Sequence, residues 1–242
     1  MDKKELVHIS SLVELDEEAL KAINSYTLKE YTADELFAFK IKMCDNDIDR
    51  DREAFSDKAL EQLAELYKGK TVIFNHSMNA RDQSARIYAT EIVTDETKQT
   101  VFGSEYRYLL AYAYMPKTEK KSTIIENILS GIQKEVSVGC CINAAKCSIC
   151  DTDLINSHCA HRPGKMYDGK MCVRILDSAS DAYEVSFVAV PAQPQAGTIK
   201  SYEEGSSDEG NEPQKSIEKS ADPTEEKPSF AESILRLLGG NN

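Results

Sequence analysis

The sequence predicts a mainly β domain with a few helices, an α+β chain whose strands form a mixed, mostly antiparallel, barrel-like sheet. Three observations predict it. Short apolar runs bounded by turn residues recur from Glu35 to Pro191. Within that region only two stretches, 57–67 and one opening at Ser122, have helical spacing. From about residue 200 the composition turns polar and acidic, so the folded unit ends there.

Residues 1–33 read as a helical arm. Over 8–31, Ser11 and Glu14 form a capping box, and Leu12, Leu15, Ala19, Leu20 and Ile23 form an apolar stripe. The main domain spans 34–199. Its first strand is Glu35–Met43. The turn-rich run Cys44–Asp51 follows and reads as a solvated loop. It lacks the Gly and Glu that an EF-hand needs at its sixth and twelfth positions. Ser56 caps a helix over 57–67, with Ala59, Leu60, Leu63 and Leu66 on one face and Gly69 as its stop. Strand 71–74 leads to His76. Strands near 84–93 and 105–115 come next, then a short helix from Ser122 to Gly131. Last come a strand holding Ser137, a cysteine-rich insert over about 140–172, and a strand over 183–190.

Residues 200–228 have too little apolar surface to offset their ordering entropy and read as a disordered acidic linker. Residues 229–242 read as a short amphipathic helix, with a Ser229/Glu232 capping box and Phe230, Ile234, Leu237 and Leu238 on one face. Such a helix is marginal alone and suits a groove on a partner.

Composition narrows the function. The 242 residues include 41 acidic and 29 basic ones, a formal charge of −12. That balance opposes direct nucleic-acid binding and an anionic membrane surface as partner. No apolar run is long enough to span a bilayer, and the N-terminus leads into no signal-peptide core. The expectation is a soluble protein that stays where it is made.

Three strand-like segments carry the chemistry. Phe74-Asn75-His76-Ser77 offers a base, Glu135-Val136-Ser137-Val138-Gly139 a nucleophile, and Tyr183-Glu184-Val185-Ser186 an orienting carboxylate. Alone, each has a bland reading. A serine in a strand is ordinarily a polar residue on the wetter face. Glu184 has the alternative of a partly buried carboxylate paired with Arg86 or Arg107. Alternation puts Ser186 on the same face as Glu184, as a decoy.

Seven cysteines occur, and five lie between Cys140 and Cys172. In a chain without a secretion signal, that clustering points to metal before disulfides. Cys147, Cys150, Cys159 and His161 have the spacing of a structural tetrahedral Zn²⁺ site, with Cys172 as the substitute ligand. Reduced thiols, or a redox pair at Cys147 and Cys150, are the competing readings. Cys140 and Cys141 are expected to pack beside the Ser137 strand, and Cys44 to be a small buried residue.

The chain also resembles the tailed-phage prohead (head maturation) proteases, distant relatives of the herpesvirus capsid protease. The resemblance rests on Asp49–Ser56, Gly69–Ser77, Glu135–Gly139 and Asp181–Gln193, and covers about 34–199. It implies a closed or partly closed β-barrel with surrounding helices. It also implies a serine endopeptidase with His76, Ser137 and Glu184 as catalytic residues. The implied substrates are phage capsid and scaffold proteins, with self-cleavage or self-association as a further expectation. The implied location is the immature capsid within the host-cell cytoplasm. The cysteine insert departs from the shorter members of that family. Two other classes compete: a non-enzymatic zinc-stapled scaffold or capsid-assembly adaptor, and a zinc hydrolase.

Overall fold

A computed structural model describes residues 13–199; the expectations for the first twelve residues, for the 200–228 linker and for the 229–242 helix lie outside the described residues. Among the described residues, three α-helices and ten strands occur in the order α1 (Glu17–Asn24), β1 (Leu36–Asp45), β2 (Glu53–Phe55), α2 (Asp57–Leu66), β3 (Thr71–Phe74), β4 (Ala85–Gln99), β5 (Glu105–Pro116), α3 (Ser122–Leu129), β6 (Val136–Cys147), β7 (Met166–Tyr167), β8 (Lys170–Met171), β9 (Arg174–Phe187) and β10 (Gly197–Ile199).

Eight strands form one sheet in the order β10-β1-β5-β4-β3-β9-β2, with β6 also paired to β9. Of the expected closed or partly closed barrel, the closed form is corrected: the sheet is not closed by continuous ladders. Between β6 and β10 there is only an isolated bridge, Glu135 with Gly197. The three residues of β10 pair with Lys40–Lys42 of β1 along one edge, and the other edge makes only this bridge.

Strand β9 organises the site. Strand β6 runs antiparallel along one edge of it, with Ser137 opposite Ser186 and Gly139 opposite Glu184. Its other edge takes two short parallel strands at different heights. Strand β2 pairs with Arg174–Leu176 and β3 with Glu184–Phe187. Helix α2 connects them. The Ser56 hydroxyl accepts the Ala59 N–H at its start, as the sequence predicts. Ala59, Leu60 and Leu63 then enter the main core with Phe37, Phe39, Ile41, Val185 and Phe187.

The N-terminal helix is shorter than predicted. Its N-cap is Asp16, whose carboxylate accepts the Ala19 N–H. It also joins the fold, since Ile23 packs with Leu36, Tyr88 and Tyr114 in a second cluster. Strand β6 reaches Cys147, so the insert proper starts there and not near residue 140. The last long strand starts early, at Arg174, and stops at Phe187.

The Cys44–Asp51 loop is solvated only in part: Arg50 and Asp51 are exposed, but the rest turns inward. Asp45, Asn46 and Asp49 are buried. The Asp49 carboxylate accepts the N–H groups of Asp51 and Glu53, and Asp45 accepts that of Asp47. Such Asx turns satisfy donors in a segment with no ladder of its own. The Arg50 guanidinium donates to the Pro191 carbonyl, and its N–H to Ala192 O at 3.1 Å, which ties this loop to the segment after β9.

Candidate active site and metal centre

His76 follows β3 in a tight turn. Ser77 N–H donates to Phe74 O at 2.9 Å, and the two central residues, Asn75 and His76, have φ of 49° and 53°. Positive φ at both central positions makes this a type I′ turn, at a cost of roughly 1 kcal/mol or more for each non-glycine residue. Three contacts from β9 hold it. Asn75 N–H donates to Phe187 O, His76 N–H donates to Ser186 Oγ at 2.8 Å, and His76 Nδ1 meets Glu184 Oε1 at 2.8 Å.

The Glu184 side chain is 4% exposed and that of His76 is 47% exposed. A buried carboxylate therefore grips one ring nitrogen, while the remainder of the ring faces an open cleft. That grip assigns the Nδ1–H tautomer and leaves Nε2 to accept a proton. Arg86 instead donates to Gly69 O, and Arg107 pairs with Asp57 and Glu61, so neither partners Glu184. Ser186, read as a decoy, bonds to the backbone of the histidine itself.

Ser137 and His76 line the same cleft, about 560 Å³ in volume. They approach it from opposite edges of β9: Ser137 is the cross-strand neighbour of Ser186, and the His76 backbone bonds to Ser186. Among the described residues no hydrogen bond joins the Ser137 and His76 side chains; His76 bonds to Glu184 and Ser186. Gly139 explains how the carboxylate reaches the histidine. A Cβ there would lie 2.3 Å from Glu184 Oε1, so only glycine leaves its path open. Tyr67 buttresses the same point, its hydroxyl donating to Gly139 O at 3.0 Å. A register shift follows at once, between Gly139 and Cys140, where bulges commonly re-aim side chains beside sites. Cys140 lines the cleft as well, and burial pushes its thiol up to about 11, which makes it a poor nucleophile.

Compared with known proteins, the chain matches no family model, no curated protein and no solved structure.

The second cluster lies at the far end of the same two strands. The ligand atoms of Cys147, Cys150, Cys159 and His161 all lie within 4.8 Å of one another. A tetrahedral metal with sulfur ligands needs separations of about 3.8 Å, so a small contraction completes the shell. Cys147 ends β6, and its N–H donates to Thr152 O at 3.0 Å to close the knuckle. Burial raises the Cys147 thiol, but the N–H groups of Ile149 and Cys150 outweigh it and the balance is downward. The Thr152 hydroxyl and N–H draw Cys150 down, with His161 adding to them. His161 Nδ1 lies 3.3 Å from Cys150 Sγ. Cys172 Sγ lies 3.9 Å from Cys147 Sγ, beside the group, and burial pushes its thiol up to about 11. The four residues fit a metal ion, with two thiols already biased toward the thiolate that binds one.

The sequence missed the roles of Ser186, Tyr67 and Gly139. Only Gly139 carried a signal, a glycine inside a strand. The other two depend on which strands become neighbours.

Proposed function

We propose that this chain is a serine endopeptidase of the prohead-protease type, cutting phage capsid or scaffold proteins and holding a structural Zn²⁺. One observation carries the reading: a buried glutamate orients a half-exposed histidine at 2.8 Å, in a cleft that the Ser137 strand also lines. Acyl transfer uses these three groups in this order.

In the proposed reaction, Ser137 Oγ attacks a peptide carbonyl while His76 Nε2 takes its proton. Glu184 accepts the Nδ1–H and stabilises the imidazolium. The same proton then goes to the leaving amine, and water repeats the sequence to release the acyl group. Backbone N–H groups are suited to hold the oxyanion. The metal is Zn²⁺ on the chemistry of its donors, three thiolates and an imidazole, and four protein ligands leave no open position for catalysis. That favours the serine mechanism over a zinc hydrolase.

The test is co-expression with a tailed-phage capsid precursor, followed by intact-mass spectrometry, for wild type and Ser137→Ala. Trimming of the precursor or of this chain by wild type alone is the expected result. Identical masses, with shell assembly still promoted, would favour the scaffold-adaptor class instead.

A further inference from the structure

The catalytic and metal clusters share one hairpin, and the cleft runs between them. Ser137 opens β6 and Cys147 ends it. Near the metal end the cleft wall is a row of apolar side chains from three strands in register, Phe55 opposite Leu176 and Leu176 opposite Ala145. The metal loop extends that row. Leu154 N–H donates to Ala145 O at 2.8 Å, and Asp153 bridges Lys146. Leu154 packs into the main core, and the next residue, Ile155, turns to the cleft and is 51% exposed. The charged neighbours Glu53 and Arg174 also line this end but pair with each other at 2.6 Å, so they edge the apolar row.

We infer that the metal-stapled loop builds a distal subsite, with Ile155 as its specificity-determining residue, for an apolar side chain of the extended polypeptide being cut. The inference rests on the endopeptidase reading. Ala145 stands eight residues beyond Ser137. At about 3.3 Å per residue, shortened by the bulges, the subsite lies roughly 20 Å from the nucleophile. An extended peptide spans that in about six residues. Between Val138 and Ile142 the outer edge of β6 has no strand partner among the described residues, so nothing in the sheet blocks an extended chain from lying there. A metal held by the cluster would fix both sides of the loop that carries Ile155, through Cys150 before it and Cys159 after it.

A library of long peptides from a digested bacterial proteome, cut by the full zinc-loaded chain and read by mass spectrometry, tests this. Wild type is expected to enrich an apolar residue about five to seven positions from the cut bond. Ile155→Asp should lose that enrichment by about tenfold, the scale of one apolar contact, and retain the preference adjacent to the cut. Ile155→Ser serves as the milder variant, and an unchanged melting temperature in both excludes misfolding. Cleavage with no distal preference, or with the same preference in Ile155→Asp, would overturn the inference and leave the endopeptidase reading standing. No cleavage beyond that of Ser137→Ala would overturn both.

Discussion

Glu184 is buried on a strand yet finds no arginine; its partner is His76, from a turn with two residues at positive φ. A fold accepts that local cost only where other contacts hold the geometry, and three bonds from β9 do so here. Ser137→Ala is expected to abolish cleavage with an unchanged fold, since the serine is only partly buried. His76→Ala should do nearly the same, and Glu184→Gln should lose roughly two orders of magnitude less. Single-turnover peptide cleavage checks all three. Gly139→Ala is a sharper test because it touches no reacting group. Its methyl would displace the Glu184 carboxylate, so activity should fall toward that of the Glu184 variants. The overpacking should cost about 1–3 kcal/mol in denaturant melts. Wild-type activity in Gly139→Ala would mean that the Glu184–His76 contact is dispensable.

The elements were unevenly legible. Helix α2 was plain because its cap and apolar stripe are local signals. Ser56→Ala should lower stability by about 1 kcal/mol, read as a shift in the urea midpoint. Strand β6 was less legible beyond Gly139. Cys140-Cys141-Ile142-Asn143-Ala144-Ala145 has little strand propensity, and only pairing along β9 makes it extended. The Cys44–Asp51 loop is more buried than its sequence suggests for a related reason. Its density of acids looks solvated, but its carboxylates cap its own N–H groups, and its burial depends on Pro191 and Ala192, far along the chain. The three candidate catalytic residues were found from the wording of their strands. Ser186 and Tyr67 were missed because their partners are set by sheet order.

For the whole molecule, one hairpin carries a candidate catalytic end and a candidate metal end, so the two should be linked in stability. Chelation is expected to remove one zinc per chain, measured by a colorimetric metal assay, and to lower the melting temperature. Cys150→Ser should reproduce the effect, because it removes a ligand with little buried surface of its own. Full metal content in that variant would point to another ligand set that includes Cys172. Of the closed or partly closed barrel that the resemblance implies, the closed form does not occur: the edge of β10 that faces away from β1 makes only the Gly197–Glu135 bridge, too little for a ladder. The sheet leaves the cleft accessible along the β6 edge, the side from which Ser137 meets substrate in the proposed reaction.

The central claim is an activated Ser137, and a fluorophosphonate that labels only activated serines tests it without a known substrate. Mass spectrometry of the labelled chain should place the adduct on Ser137 in wild type, remove it in His76→Ala, and weaken it strongly in Glu184→Gln. No adduct on Ser137, or equal labelling in His76→Ala, would contradict the account.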